Sequence, residues 1–354
     1  MTKVELKIAQ KDDSKEWDRL VEISPQGTIF HTWNWLRIVE KYTNAKLYPL
    51  IGYKGDTPIG VFPIFFRKKY LKMIFSPPPH MAIPYLGPAL IKYDRLKQDK
   101  RETNLIEFQK QVDNFINELG ASYISFSLTP ELIDSRPFRW SGYTVVPHYH
   151  RSIDISKGED YVWSQFQKRV RQGIVKTREK GVLVEEGNLE ELEVLYDLLI
   201  RRYRELGKTV NVPKKYLIEL YKNLYPRVLI FIAKYEGETL TGSIYVKSKN
   251  KLISWIGNPK PKISGLYLNE LIKWEVVKWA IQQGFEKYEL IGASDEKLDM
   301  HKRKYNFPLS VHFYVKKSSF YADLVEWSYL HFLKRIYSKL AFKTPIGRIV
   351  CRQK

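Results

Sequence analysis

Ile51-Gly-Tyr-Lys-Gly-Asp-Thr-Pro-Ile-Gly60 and Ala233-Lys-Tyr-Glu-Gly-Glu-Thr-Leu-Thr-Gly242 carry one pattern, matching at tyrosine, glycine, threonine and glycine in the same order and spacing. Each stretch reads as a hairpin: an apolar strand (47–53; 229–235), a tight turn of glycine with an acidic residue, and a second apolar strand (59–66; 240–246). Neither is a phosphate-binding loop. The second glycine is not followed by Lys-Ser/Thr, and a strand rather than a helix comes next.

The flanks repeat as well. Two helical stretches precede each hairpin, 15–22 and 33–42 in the first copy, 189–205 and 214–224 in the second, with apolar residues three and four apart. A longer helix, a glycine and a strand follow each: 105–119, Gly120 and 123–127, then 268–283, Gly284 and 288–291, with both glycines placed as helix C-caps. A repeat of this length predicts a duplicated domain rather than a solenoid. The expected layout is a first domain over 1–150, a basic connecting segment over 151–187, a second domain over 188–315 and a basic tail over 316–354. Residues 1–7 alternate apolar and charged side chains as a strand does.

Composition bounds the function. The chain has 354 residues with 59 Lys+Arg against 39 Asp+Glu, a formal charge of +20 and a pI near 9.6. With 44% hydrophobic and 14% aromatic residues it is a folded chain and not a disordered polycation. Such a charge draws polyanions: nucleic acid, anionic headgroups or phosphorylated ligands. The single cysteine, Cys351, excludes an intrachain disulfide and a cysteine-rich zinc module. Together with a start that lacks a signal peptide's apolar stretch, it leads us to expect a cytoplasmic protein. The longest segment without Asp, Glu, Lys or Arg, 73–91, holds five prolines and is no spanning helix. Gly-x-Ser-x-Gly, His-Glu-x-x-His and a Rossmann glycine fingerprint do not occur. His148 and His150 are expected on one face of a strand, and no metal site is expected.

The duplicated order of elements resembles the tandem GNAT-like fold of the FemABX peptidyltransferases and the BioF-like acyltransferases. The resemblance runs through Phe30-His-Thr-Trp-Asn-Trp35, Tyr85-Leu-Gly-Pro88, the basic stretch Lys168-Arg-Val-Arg-Gln-Gly-Ile-Val-Lys-Thr-Arg-Glu-Lys-Gly-Val182, the long helix and strand ending Tyr288-Glu-Leu-Ile-Gly292, and Leu298-Asp-Met-His-Lys-Arg-Lys-Tyr-Asn306. His301, Glu289 and Asn306 depart from the family's Phe, Asp and Gly. What the resemblance implies is an α/β fold of two GNAT-like domains, each with a mixed central sheet flanked by helices, and a cleft between them.

The implied reaction is attack of an amine on a thioester or aminoacyl ester, without a covalent enzyme intermediate and without a bound cofactor. It needs a positioned amine, a proton acceptor and cationic or N–H donors where the oxyanion develops. Lys302 aligns with the family's turn lysine, as an oxyanion or phosphate cation. Glu289 is expected to take the amine proton if burial raises its pKa, the alternative being a structural carboxylate paired with a lysine. Tyr305 is a candidate proton donor to the leaving group and His301 a candidate base. Tyr85, Arg37 and Lys41, with Arg169 and Arg171 from the second domain, are expected at the acceptor, a diphosphate-linked cell-envelope precursor being the kind such cations suit. Lys262 and Gly265 are expected where a loop feeds a helix N-terminus and would meet the donor's phosphates. Aminoacyl-tRNA and acyl-CoA both stay open as donors.

Two further alternatives are carried forward. One is a non-catalytic nucleic-acid or anionic-membrane binding protein on the same duplicated fold. The other concerns the tail, where Val325, Tyr329, Phe332, Leu333, Ile336, Tyr337 and Leu340 form one apolar helical stripe among basic residues. The stripe is expected either to pack on the second domain or to lie on an anionic membrane at the inner face of the cell envelope.

Overall fold

The computed structural model describes residues 3–328 apart from 258, 260–262 and 264. Lys262 and the tail stripe from Tyr329 onward therefore lie outside the described residues. The first half runs β1 (Val4–Ile8), α1 (Ser14–Glu22), α2 (Trp33–Tyr42), β2 (Lys46–Lys54), β3 (Thr57–Lys68), β4 (Lys72–Ser76), β5 (Ala89–Leu90), α3 (Gln98–Leu119), β6 (Tyr123–Ser127), α4 (Arg136–Trp140) and β7 (Thr144–Asp154). The second runs α5 (Glu159–Gln165), α6 (Lys168–Glu179), β8 (Leu183–Gly187), α7 (Leu189–Glu205), α8 (Lys214–Leu224), β9 (Val228–Tyr235), β10 (Glu238–Ser248), β11 (Lys251–Gly257), α9 (Leu268–Gln282), β12 (Lys287–Leu290), α10 (Glu296–Lys302) and β13 (Leu309–Ser318), before α11 (Phe320–Ser328).

Local sequence accounts for these elements. Trp17, Leu20 and Val21, three and four apart, are the buried face of α1. Asn188 caps α7, its side-chain oxygen accepting from the Glu190 N–H at 2.7 Å while Glu191 reaches back to the Asn188 N–H at 2.9 Å. Gly120 and Gly284 follow α3 and α9 in the left-handed region, as a C-cap requires.

One sheet unites the halves. Its strand order is β1-β2-β3-β4-β6-β13-β7-β12-β11-β10-β9-β8, with β5 added to β3. Counted from either edge the pattern is the same, so the two Tyr-x-Gly hairpins hold equivalent places, second and third from each edge. At the centre each half lends its last strand to the other: β13 pairs with β6 (Tyr314 opposite Ser127), and β7 pairs with β12 (Ser152 opposite Glu289). β7 and β13 also pair with each other, His148 opposite His312.

Side-chain alternation along the strands then divides the core. Ile230 and Ile232 face a cluster that spans both halves and includes Trp17, Trp35, Tyr85, Leu195 and Trp255, beneath α1, α2, α7 and α8. Leu229 and Phe231 face the opposite side, where α5, α6 and α9 cover the second half, while α3 and α4 cover the first. A shared sheet and a shared core thus join the two halves. Lys41 of α2 also binds Glu219 of α8 at 2.7 Å, and the Trp255 indole donates to the Ala82 carbonyl at 2.6 Å.

Candidate active site

Glu289 lies in mid-strand on β12, opposite Ser152 of β7 and Ile253 of β11, and is 2% exposed. The Tyr85 hydroxyl, from the other half, donates to its Oε2 at 2.8 Å, and Lys251 Nζ approaches Oε1 at 3.3 Å. Lys251 also binds Glu131 in the loop after β6. Burial pushes the Glu289 carboxyl up, yet Lys251, His150 and the two hydrogen bonds outweigh it and hold the group below the ordinary carboxylate range. Glu289 thus matches the second of the two readings, a lysine-paired carboxylate with both oxygens engaged, and not a carboxyl raised toward neutrality. Its charge adds to burial in pushing the Tyr85 phenol well above its usual value.

Histidines complete the cluster. His150 and His148 share one face of β7, and His312 joins them from β13, with ring centroids 5.6 Å (His150–His312) and 5.7 Å (His148–His312) apart. The Tyr85 ring stands 5.9 Å from His312. Burial lowers the pKa of His150, and that of His312 to about 3, so both rings are neutral at physiological pH. Both are buried, and the Nδ1 atoms of both lack a hydrogen-bond partner. Among the described residues no group of three or more His, Cys, Asp or Glu side chains is arranged to hold a metal ion.

Lys302 ends α10 and donates to the Ile291 carbonyl, just past β12. Burial lowers its pKa to about 8, with Asp299 opposing and Arg151 reinforcing the shift. Its charge reaches His150, whose pKa it helps to lower. The helix that carries it is pinned from below. Arg151 of β7 grips Asp299 at 2.7 and 3.0 Å and donates to the Phe307 carbonyl at 2.8 Å, while Asp295 caps the first turn by accepting from the Leu298 N–H at 2.9 Å.

Two other sequence candidates fall away. His301 is exposed and no contact joins it to the cluster. Tyr305 is 2% exposed inside an aromatic core, with ring centroids 5.2 Å from Phe166 and 5.9 Å from Phe307. Burial pushes its phenol well above its usual pKa, and its ring is part of that core.

The cations divide between the two faces of the sheet. Arg37 pairs with Glu40 on its own helix and Lys41 ties α2 to α8, so neither turns toward Arg169 and Arg171, whose helix α6 packs on the opposite face. Arg169 Nε donates to the Tyr267 hydroxyl at 3.0 Å, immediately before α9. Thr177 Oγ1 accepts from the Tyr267 N–H at 2.8 Å. Gly173 makes this contact possible, because a Cβ there would stand 2.4 Å from the Tyr267 ring. Gly265, at φ 81°, opens onto free space two residues earlier. The start of α9 is thus bordered by the basic helix α6, an arrangement suited to an anionic ligand.

Residues 164–303 match the family described as acetyltransferase (GNAT) domain. No curated protein matches the chain. Among solved structures, FemX superposes with a TM-score of 0.66 at 14% identity, over 87% of this chain and 96% of that one. L-PGS from Bacillus licheniformis gives 0.52 at 13% identity, over 90% and 97%. A tandem GNAT protein from the clavulanic acid biosynthesis pathway gives 0.52 at 9% identity, over 89% and 98%. At these identities the likeness is one of fold: an α/β chain of tandem GNAT-like architecture.

Proposed function

We propose that this chain, whose second half carries the GNAT domain, transfers an acyl or aminoacyl group to an amine by direct attack. The observation that carries the reading is the seam cluster: a neutral His150 with an unpaired Nδ1, near ionised Glu289, within the field of Lys302. The amine nitrogen bonds to the donor's carbonyl carbon, and the carbonyl π pair moves to oxygen. Lys302, cationic below about pH 8, stabilises that oxyanion. His150 takes the proton from the attacking nitrogen, and the Glu289 charge stabilises the imidazolium. Collapse expels the thiolate or ribose oxygen, which leaves with the proton returned from His150. Tyr85 and Lys251 position Glu289.

Arg169, Arg171 and Gly265, ahead of α9, border the donor's phosphates in this reading. The matched GNAT domain supports acyl-CoA as donor, and the formal charge of +20 supports aminoacyl-tRNA. The acceptor is an amine, a diphosphate-linked cell-envelope precursor on the inner side of the membrane being the kind we propose. The same charge supports a second reading, a binding protein without turnover. Incubation with labelled aminoacyl-tRNA and, separately, a panel of acyl-CoA donors, each with amine acceptors, decides between them. Label is expected in an amide, and His150→Gln should abolish transfer while the melting temperature holds. Binding of donors with no transfer of any label overturns the proposal.

A further inference from the structure

α11 presents large apolar side chains at one end of the sheet. Phe320, Leu324 and Trp327, spaced i, i+4, i+7, form one stripe, and they are 86%, 50% and 51% exposed. Ala322 is its buried residue, and two carboxylates bind side chains of the sheet's rim. Asp323 accepts from Lys316 at 2.9 Å and from the Ser318 hydroxyl at 2.6 Å, while Glu326 accepts from the Tyr123 hydroxyl at 3.0 Å and from Lys316. These carboxylates tie α11 to the rim, while Phe320, Tyr321 and Leu324 remain at least half exposed.

The register shows what else shares this rim. Lys68 pairs with Lys72 at the β3–β4 turn, Met73 with Tyr123, Tyr123 with Ser318, and Lys316 with Thr144. One end of the sheet therefore gathers the β3–β4 turn, the starts of β6 and β7, and α11. That turn presents Tyr70, 89% exposed, between the exposed Lys68, Lys69 and Lys72. Lys317 donates to the Ser141 carbonyl at 2.9 Å, which places the 64% exposed Trp140 on the same rim. Asp323 and Glu326 of α11 bring acidic charge to the rim, and both are paired with Lys316.

We propose that this rim seats on an anionic bilayer surface, its aromatic and leucine side chains entering the headgroup layer while Lys68, Lys69 and Lys72 meet lipid phosphates. Tryptophan and tyrosine suit that layer because one end of each ring is apolar and the other polar, and each lysine adds attraction to an anionic leaflet. Among the described residues no helix is long and apolar enough to cross a membrane, so the contact is peripheral. It holds whether or not the seam is catalytic. His150 is six steps along β7 from Thr144, which puts the seam about 20 Å along the strand from this rim.

The test is cosedimentation of the full chain with vesicles of phosphatidylcholine alone and with a third phosphatidylglycerol, at low and high salt. The wild type should bind the anionic vesicles and release as salt rises. The combined change Phe320→Ser, Leu324→Ser, Trp327→Ser should weaken binding at least tenfold with an unchanged melting temperature, as should Lys68→Glu, Lys69→Glu, Lys72→Glu. Amine transfer to a soluble acceptor should be unaffected by either set, so failure here and failure of the transferase reading are read separately. The proposal is overturned if the wild type does not bind, if either variant binds as well as the wild type, or if the chain retains an oligoribonucleotide but not vesicles. It is also overturned if the serine variant loses its cooperative melt, since the stripe is then covered by the chain itself.

Discussion

Replacing Lys251 by methionine should turn the seam from a stabilising network into a liability. The substitution removes the cation 3.3 Å from Glu289 Oε1 and leaves a carboxylate, 2% exposed, with the Tyr85 hydroxyl as its remaining hydrogen bond. Breaking a buried pair from one side costs about 3–5 kcal/mol. Lys251 is itself 14% exposed, so some water screens the pair and about 3 kcal/mol is expected at pH 7.5. The pH dependence gives the sign. In the wild type the Glu289 pKa is depressed, so its contribution is complete above the ordinary value of 4.5 and lost as pH falls through the folded value. Without Lys251, burial dominates and the folded pKa lies above 4.5, so the penalty is greatest at neutral pH and relieved on acidification. Guanidinium unfolding followed by tryptophan fluorescence should show a larger deficit at pH 7.5 than at pH 5.5. Lys251→Met with Glu289→Gln should recover at least about 1 kcal/mol by removing both charges. A deficit under about 1 kcal/mol at pH 7.5, or a double variant no more stable than the single, would refute the argument.

Further outcomes follow from the site. Lys302→Met should lower turnover roughly a hundredfold, the scale of one lost oxyanion donor, in a protein that still melts cooperatively. The wild-type rate should decline as pH rises through about 8, where Lys302 loses its charge, and Lys302→Arg should move that decline to higher pH; an unchanged profile removes Lys302 from the chemistry. Gly173→Ala places a Cβ 2.4 Å from the Tyr267 ring and should weaken acyl-CoA binding, measured by calorimetry, about tenfold by displacing the start of α9. Tyr305→Phe, by contrast, should leave turnover within about a factor of two, and a loss of a hundredfold would return Tyr305 to the site.

What the sequence discloses here is what local chemistry determines. The stripes of α1, α2, α7 and α8 and the Gly55 and Gly237 turns are written in spacing and turn residues, and their predicted bounds fall within two residues of the structure. The exchange of β7 and β13 leaves no such mark, because alternation says which face a side chain takes but not which strand lies beside it. The site divides the same way. Tyr85 and Glu289 stand out singly, yet the hydrogen bond between them spans 204 residues, and Lys251, Glu131 and His312 enter only through tertiary pairing. Nothing in the basic run around Tyr305 signals burial, yet the turn that ends in left-handed Asn306 brings its ring into the aromatic core.

The crossed strands also bear on how the chain is made. When the ribosome has released β7 at Asp154, both of that strand's partners, β12 and β13, are still unsynthesised, and so is the strand that must lie between β6 and β7. At roughly 5–20 residues per second, the wait until Ser318 emerges is on the order of ten to thirty seconds. Through that interval β6 is an open sheet edge that the finished fold covers with β13, the kind of feature that recruits chaperones or foreign strands. Either half produced by itself would lack the strand that the other half lends to its centre.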